Sequence, residues 1–167
     1  MQFTDQMNRV VRLEKVPERI VSLVPSQTEL LYDLGLGDRV VGITKFCVHP
    51  NDWFRNKTRV GGTKSVDFDK IKSLHPDLII GNKEENEKSD IDRLTAEFPV
   101  WMSDIFTLSD AMDMIQHIGA ITGTEKEAKS IVTDVQNGFS ELEKWVNESF
   151  KEDLSVAYFI WKDPDFC

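Results

Sequence analysis

The 167 residues predict an α/β fold: a lobe built on a mainly parallel sheet, a long connecting helix, and the start of a second α/β lobe. Three observations carry this expectation. Short apolar runs at 20–23, 40–44, 77–80 and 100–102 alternate with stretches of helical periodicity, the order that covers both faces of a parallel sheet with helices. From Thr107 onward, two helical stretches follow one another with no strand between them. A last apolar run at 155–161 has strand character, yet six residues follow it, too few to give its backbone and faces partners. The expected division is 1–106 as a Rossmann-like lobe, 107–152 as a helical connector, and 153–167 as the first strand of a truncated second lobe. The alternative place for 155–161 is the edge of the first sheet or a second copy of the chain.

In chain order, a short strand at 9–13 turns through 15–18 into the run at 20–23. Residues 19–44, RIVSLVPSQTELLYDLGLGDRVVGIT, make a βαβ unit. Ser26 falls where a helix N-cap belongs and Glu29 follows three residues later, the spacing of a capping box. Gly35 ends that helix with a left-handed residue. Ligands of open α/β sheets bind beyond the C-terminal strand ends, which puts Pro25, Ser26 and Gln27 on a binding rim. Residues 45–57, KFCVHPNDWFRNK, read as a loop of aromatic and polar side chains, and 59–63, RVGGT, as backbone that must turn sharply. Asp67 caps a helix whose Phe68, Ile71 and Leu74 share a face, and His75-Pro76 stops it. The strand at 77–80 is bounded by Gly81. Residues 84–87 read as a solvated helix start, and Ile91 and Leu94 begin the apolar stripe of a helix ending near Phe98-Pro99. Thr107 to Asp110 resembles a cap for a helix reaching about Thr122. Gly123 then interrupts, and across 125–150 Ile131, Val135, Phe139, Leu142 and Val146 recur every three or four residues, one long amphipathic helix.

Composition excludes more than it selects. A net charge of −9 and a pI near 4.8 argue against a nucleic-acid partner, which needs a concentrated basic face. No run approaches the roughly 20 apolar residues of a membrane span, so no membrane insertion is expected. The opening MQFTDQMNRVV lacks the basic and apolar regions of a signal peptide. Cys47 and Cys167 make no CxxC pair, and both thiols are expected to be free. Cys47 and His49 diverge in an extended loop and converge on a soft metal in a turn, but two ligands do not make a metal site. His75 at a helix end has a structural reading, and His117 within a helix reads as a surface or interface residue. Trp53 and Phe54 either face a ligand or cover the sheet edge. No GxSxG, HExxH, P-loop or GxGxxG occurs, and no spacing selects a catalytic triad, so no enzymatic activity is expected.

The 19–44 stretch, the VGGTKSVDFDKIKSLHPDLIIG stretch and the long helix together resemble the helical-backbone class (class III) of periplasmic substrate-binding proteins. These deliver vitamin B12, iron-siderophores, haem and similar chelates to ABC transporters. The resemblance covers most of residues 9–161 and is strongest to cobalamin-binding proteins. It implies a small-molecule metal chelate, a corrinoid or iron chelate, held between two lobes, with no cofactor beyond that ligand and an ABC-transporter permease as partner. It places Pro25, Ser26 and Gln27 at the cleft floor and Phe46 where vitamin B12 binders put an aromatic ring against the corrin. Cys47, Thr63, Lys64 and Asn82 complete the expected ligand-binding set, with Thr63 and Asn82 standing where those binders place tryptophans. Asp69 takes the place of an acidic residue that docks against permease arginines. The implied location is the periplasm or cell envelope. The alternative reading, motivated by the absent leader, is a cytoplasmic metal- or chelate-binding or sensing protein on the same fold.

Overall fold

The computed structural model describes residues 1–150 and, beyond them, positions 155 and 157 alone. Those two positions apart, the run at 155–161 lies outside the described residues, as does Cys167. Two compact units are distinguished, Met1–Val132 and Thr133–Cys167.

In the first unit, β1 (Gln2–Thr4) and β2 (Val10–Arg12) form an antiparallel hairpin. Five parallel strands make the main sheet: β3 (Ile20–Ser22), β4 (Val40–Ile43), β5 (Thr58–Arg59), β6 (Leu78–Asn82) and β7 (Val100–Ser103). Their order is β5-β4-β3-β6-β7, so the chain winds outward from β3 in both directions and leaves a switch point between β3 and β6. Side-chain alternation along the strands builds a core on each face. Ile20, Leu78, Ile80 and Trp101 pack with α1 (Pro25–Asp33) and α5 (Leu108–Thr122). Val21, Ile79, Val100 and Met102 pack with α3 (Phe68–Ser73) and α4 (Lys88–Thr95), after α2 (Asn51–Asn56) has intervened in the chain. The first turns of α6 (Glu125–Ser149) join the α5 face through Ala128 and Val132. That approach requires Gly119, where a Cβ would sit 2.4 Å from the Ala128 Cβ.

Four local expectations are corrected. Helix α1 begins at Pro25, with Val24 as an N-cap that makes no side-chain bond, so the Ser26–Glu29 capping box does not form. Proline at the first helical position has the right φ and no N–H to satisfy, and this moves Ser26 inside the first turn, where it is exposed. The aromatic loop at 45–57 contains α2, and Trp53 is buried with its ring edge-on to Tyr32 at 5.3 Å, covering the sheet rather than facing a ligand. Strand β6 runs through Gly81 to Asn82, because a Cβ at 81 would meet Asn86 Oδ1 and Met102 Sδ at 2.7 Å and glycine removes it. Residues 84–87 are a turn ahead of α4 rather than its first turn. Other signals hold. Asp67 accepts from the Lys70 N–H as an N-cap, Gly35 and Gly123 end their helices at positive φ, and Thr107 and Asp110 form a reciprocal capping box.

The edge of β7 is closed by the β1–β2 turn. The Asp5 carboxylate, fully buried, accepts from the backbone N–H groups of Met7 (3.0 Å), Arg9 (2.8 Å) and Met102 (3.3 Å) and from Arg9 Nε (2.8 Å). The Gln6 N–H donates to the Met102 carbonyl at 3.2 Å, and Gln6 Oε1 accepts from the Asp104 N–H at 3.1 Å. The Asp5 and Gln6 side chains and the Gln6 N–H thus take the place of a sixth strand on an edge that would otherwise present open donors and acceptors.

In the second unit, α6 continues from Thr133 with Phe139, Leu142, Trp145 and Val146 exposed, and the Trp145 and Phe150 rings meet edge-on at 5.5 Å.

Removing the Asp5 carboxylate leaves the Arg9 guanidinium and the Met102 N–H without their acceptor. Asp5→Ala is expected to lower the unfolding free energy by about 3 kcal/mol in urea titrations. A loss below about 1 kcal/mol would show that the turn does not hold the edge.

Candidate wall of a ligand site

The C-terminal ends of the five parallel strands converge on one rim, where backbone polar groups run out of strand partners. Side chains supply what the ladder no longer can. The Gln27 amide, 1% exposed, donates from Nε2 to Ser103 Oγ and, at 3.3 Å, to the Gly81 carbonyl. Asn82 Nδ2 donates to the same Ser103 hydroxyl at 2.9 Å, and the hydroxyl lies 3.4 Å from the Gly81 carbonyl it can donate to. Asn82 Oδ1 accepts from the Glu84 and Glu85 N–H groups at 2.9 and 3.1 Å, turning the chain after β6. Asn86 ties this turn across the sheet, accepting from the Asn82 N–H at 2.9 Å and donating to the Thr63 carbonyl at 3.0 Å and the Leu23 carbonyl at 3.4 Å. On the β4 side the Thr28 hydroxyl lies 2.8 Å from Ser22 Oγ, 2.9 Å from the Val24 carbonyl and 3.1 Å from Cys47 Sγ, and Thr44 Oγ1 lies 3.1 Å from the same sulfur. Gln27 Oε1 alone in this network has no hydrogen-bond partner among the described residues.

The predicted site residues therefore separate into two layers. Gln27, Cys47, Thr63 and Asn82 are buried and belong to the supporting network. Cys47, 0% exposed, is turned inward between the Thr28 and Thr44 hydroxyls, while His49 is exposed. Among the described residues, no group of three or more His, Cys, Asp and Glu is arranged to hold a metal ion. Pro25, half-buried, with Ser26, Phe46 and Lys64 exposed, forms the layer that meets solvent. Phe46 is 52% exposed, its ring edge lies close to Gly62, where a Cβ would sit 3.2 Å from Cε2, and the Lys45 ammonium stands 5.1 Å from its centroid. Lys64 Nζ donates to the Glu84 carbonyl, linking the loops after β5 and β6. Asp69 is exposed in the first turn of α3.

Several rim residues lay outside the sequence reading: Ser103, Lys45, Lys83 and Phe106. The signal for the last was available, an aromatic residue just past a C-terminal strand end. Phe106 is 73% exposed, and the Lys83 ammonium lies 5.5 Å from its ring centroid while pairing with Asp104 at 2.7 Å. The hydrogen bond to Asp104 raises the Lys83 pKa. The Asp110 carboxylate accepts from the N–H groups of Phe106 (3.0 Å) and Thr107 (2.8 Å), and the Phe106 bond first, then the Thr107 hydroxyl and N–H, hold its pKa below the usual 3.8.

A buried hydrogen-bond network thus lies beneath an exposed aromatic and cationic layer at the C-terminal strand ends, the edge at which open α/β sheets bind ligands. The chain belongs to the periplasmic binding protein family, whose model matches residues 20–163. It is similar to an uncharacterised ABC transporter substrate-binding lipoprotein of Bacillus subtilis strain 168, with 32% identity over 166 residues, 96% of this chain and 52% of the relative. Among solved structures it is similar to the periplasmic vitamin B12 binding protein of Vibrio cholerae, with a TM-score of 0.72 and 26% identity over 79% of this chain and 52% of that one. It is also similar to Staphylococcus aureus SirA complexed with staphyloferrin B, with a TM-score of 0.74 and 25% identity over 90% of this chain and 52% of that one. The chain spans about half the length of these proteins.

Because its pKa is depressed, Asp110 stabilises the Phe106–Thr107 turn fully above 3.8, and that contribution is lost as pH falls through its lower folded value. Amide resonances of Phe106 and Thr107, followed between about pH 6 and pH 2, are expected to shift with a midpoint below 3.8. A midpoint at or above 3.8 contradicts the assignment.

Proposed function

We propose that this wall is one side of the ligand site of an ABC-transporter substrate-binding protein that captures a metal chelate of the cobalamin, iron-siderophore or haem class and delivers it to a permease. The observation that carries the reading is Phe46, half exposed just past β4 with the Lys45 ammonium at its ring, next to Cys47, whose thiol is buried in the hydrogen-bonded network. An apolar ring held in solvent is ready to cover a flat ligand without reorganising. Pro25 and Ser26 form the floor, Lys64 borders it, and Gln27, Thr63 and Asn82 set its shape from behind. The second wall of the cleft comes from a second lobe, with the α6 helix as the connector. Asp69, exposed at the start of α3, meets basic groups of the permease. The compartment is extracytoplasmic, the protein working at the cell envelope. Family membership supports the substrate-binding reading, and the position of the rim at the strand ends supports its place in the fold.

Calorimetric titration of the purified protein with a corrinoid, haemin and ferric siderophores tests the reading. One of these is expected to bind, with Phe46→Ala weakening it about tenfold through lost ring contact. Asp69→Lys is expected to leave binding within twofold while abolishing most permease-dependent uptake. Absence of binding to every member of the panel would overturn the proposal.

A further inference from the structure

Phe106 and Lys83 repeat, at the far end of the rim, the arrangement of Phe46 and Lys45. In each pair a phenyl ring stands in solvent just past a parallel strand, with an ammonium 5.1 or 5.5 Å from its centroid. Phe46 follows β4 and Phe106 follows β7, which are three strand spacings apart in the sheet order, about 14 Å. Both rings stand on fixed backbone. The Phe46 ring edge lies close to Gly62, and the Asp110 carboxylate pins the Phe106 N–H within the α5 capping box. An apolar ring that is 73% exposed on a pinned turn contributes nothing to the core, since its burial would require something outside the lobe.

The charges on the rim are unevenly matched. Lys83 is paired with Asp104, and Lys64 is engaged by the Glu84 carbonyl, with the Glu84 and Glu85 side chains exposed beside it. Among the described residues no carboxylate pairs with Lys45. The β4 end therefore offers an uncompensated cation beside an aromatic face, and the β7 end an aromatic face whose cation is already neutralised. A small oxyanion could satisfy Lys45 but would leave both rings in water. A ligand with an uncharged periphery would cover the rings but leave Lys45 desolvated without a counter-charge, which costs affinity.

Resting on the chelate-binding reading of this wall, we propose that Phe106 is a second ligand-contacting ring and that the site takes a conjugated metal chelate carrying anionic groups. Its π-surface spans from Phe46 to Phe106, and an anionic group lies at the Lys45 end. Haem-type macrocycles with carboxylates and ferric catecholates share this chemistry, and the two are separated by experiment.

The test uses the purified protein, with tryptophan-fluorescence and absorbance titrations of haemin, a ferric tris-catecholate and cyanocobalamin against wild type, Phe46→Ala, Phe106→Ala, Phe106→Tyr and Lys45→Ala. Haemin or the catecholate is expected to bind, about tenfold more weakly in Phe106→Ala and in Lys45→Ala, with Phe106→Tyr restoring affinity because it retains the ring. Thermal unfolding of the Phe106 variants is expected to match wild type, since the side chain is exposed. If Phe46→Ala weakens binding while Phe106→Ala stays within twofold, the second ring is refuted and the wall stands. Binding of cyanocobalamin alone refutes the anionic class. If no ligand of the panel binds, both the inference and the reading beneath it fall.

Discussion

A parallel sheet creates a polar problem at its C-terminal edge, and this lobe solves it with one hydroxyl. Ser103 Oγ receives the amides of Gln27 and Asn82 and can itself donate to the Gly81 carbonyl, joining α1, β6 and β7 at a single atom. Asn86 extends the join to β3 and to the glycine turn through the Leu23 and Thr63 carbonyls. Each of these groups is buried, so leaving one unpaired would cost about 1–3 kcal/mol. The rim is rigid because its polar atoms have nowhere else to go, and the exposed layer inherits that rigidity.

The same logic explains how the rest of the lobe serves the rim. Alternating side chains give the sheet two apolar faces, and helices close both, so the strands cannot slide relative to one another without exposing one face. Asp5 closes the β7 edge, which holds Ser103 and the residues after it in register with β6. Asp110 then fixes the turn that presents Phe106. The exposed rim side chains are thus the last in each chain of support, and stability rests on the ones behind them.

Much of this was legible in the sequence. The apolar runs at 20–23, 40–44 and 100–102 lie within a residue of β3, β4 and β7, since a buried strand leaves a short β-branched block between turn residues. Asp67, Thr107, Gly35 and Gly123 marked helix ends through local chemistry that needs no tertiary context. The Ser26 cap was misread because two local rules competed, and Pro25 at the first helical position prevailed over a serine one residue later. The layering of the site was not legible. Gln27, Cys47 and Asn82 are polar or reactive residues next to a rim, and sequence alone does not tell whether such a residue faces the ligand or the neighbouring strand. Ser103 escaped notice because its role depends on β7 being the neighbour of β6, which is a fact of strand order.

The central claim is that the C-terminal rim of this lobe is the ligand wall. Amide chemical-shift mapping on the isotope-labelled protein, with haemin or a ferric catecholate added stepwise, tests it most directly. Perturbations and line broadening centred on Ser26, Phe46, Lys64 and Phe106 are the predicted result. Perturbations centred instead on the 330 Å³ pocket lined by Val10, Val11, Arg12, Thr95, Phe98 and Pro99, with the rim unchanged, would contradict it.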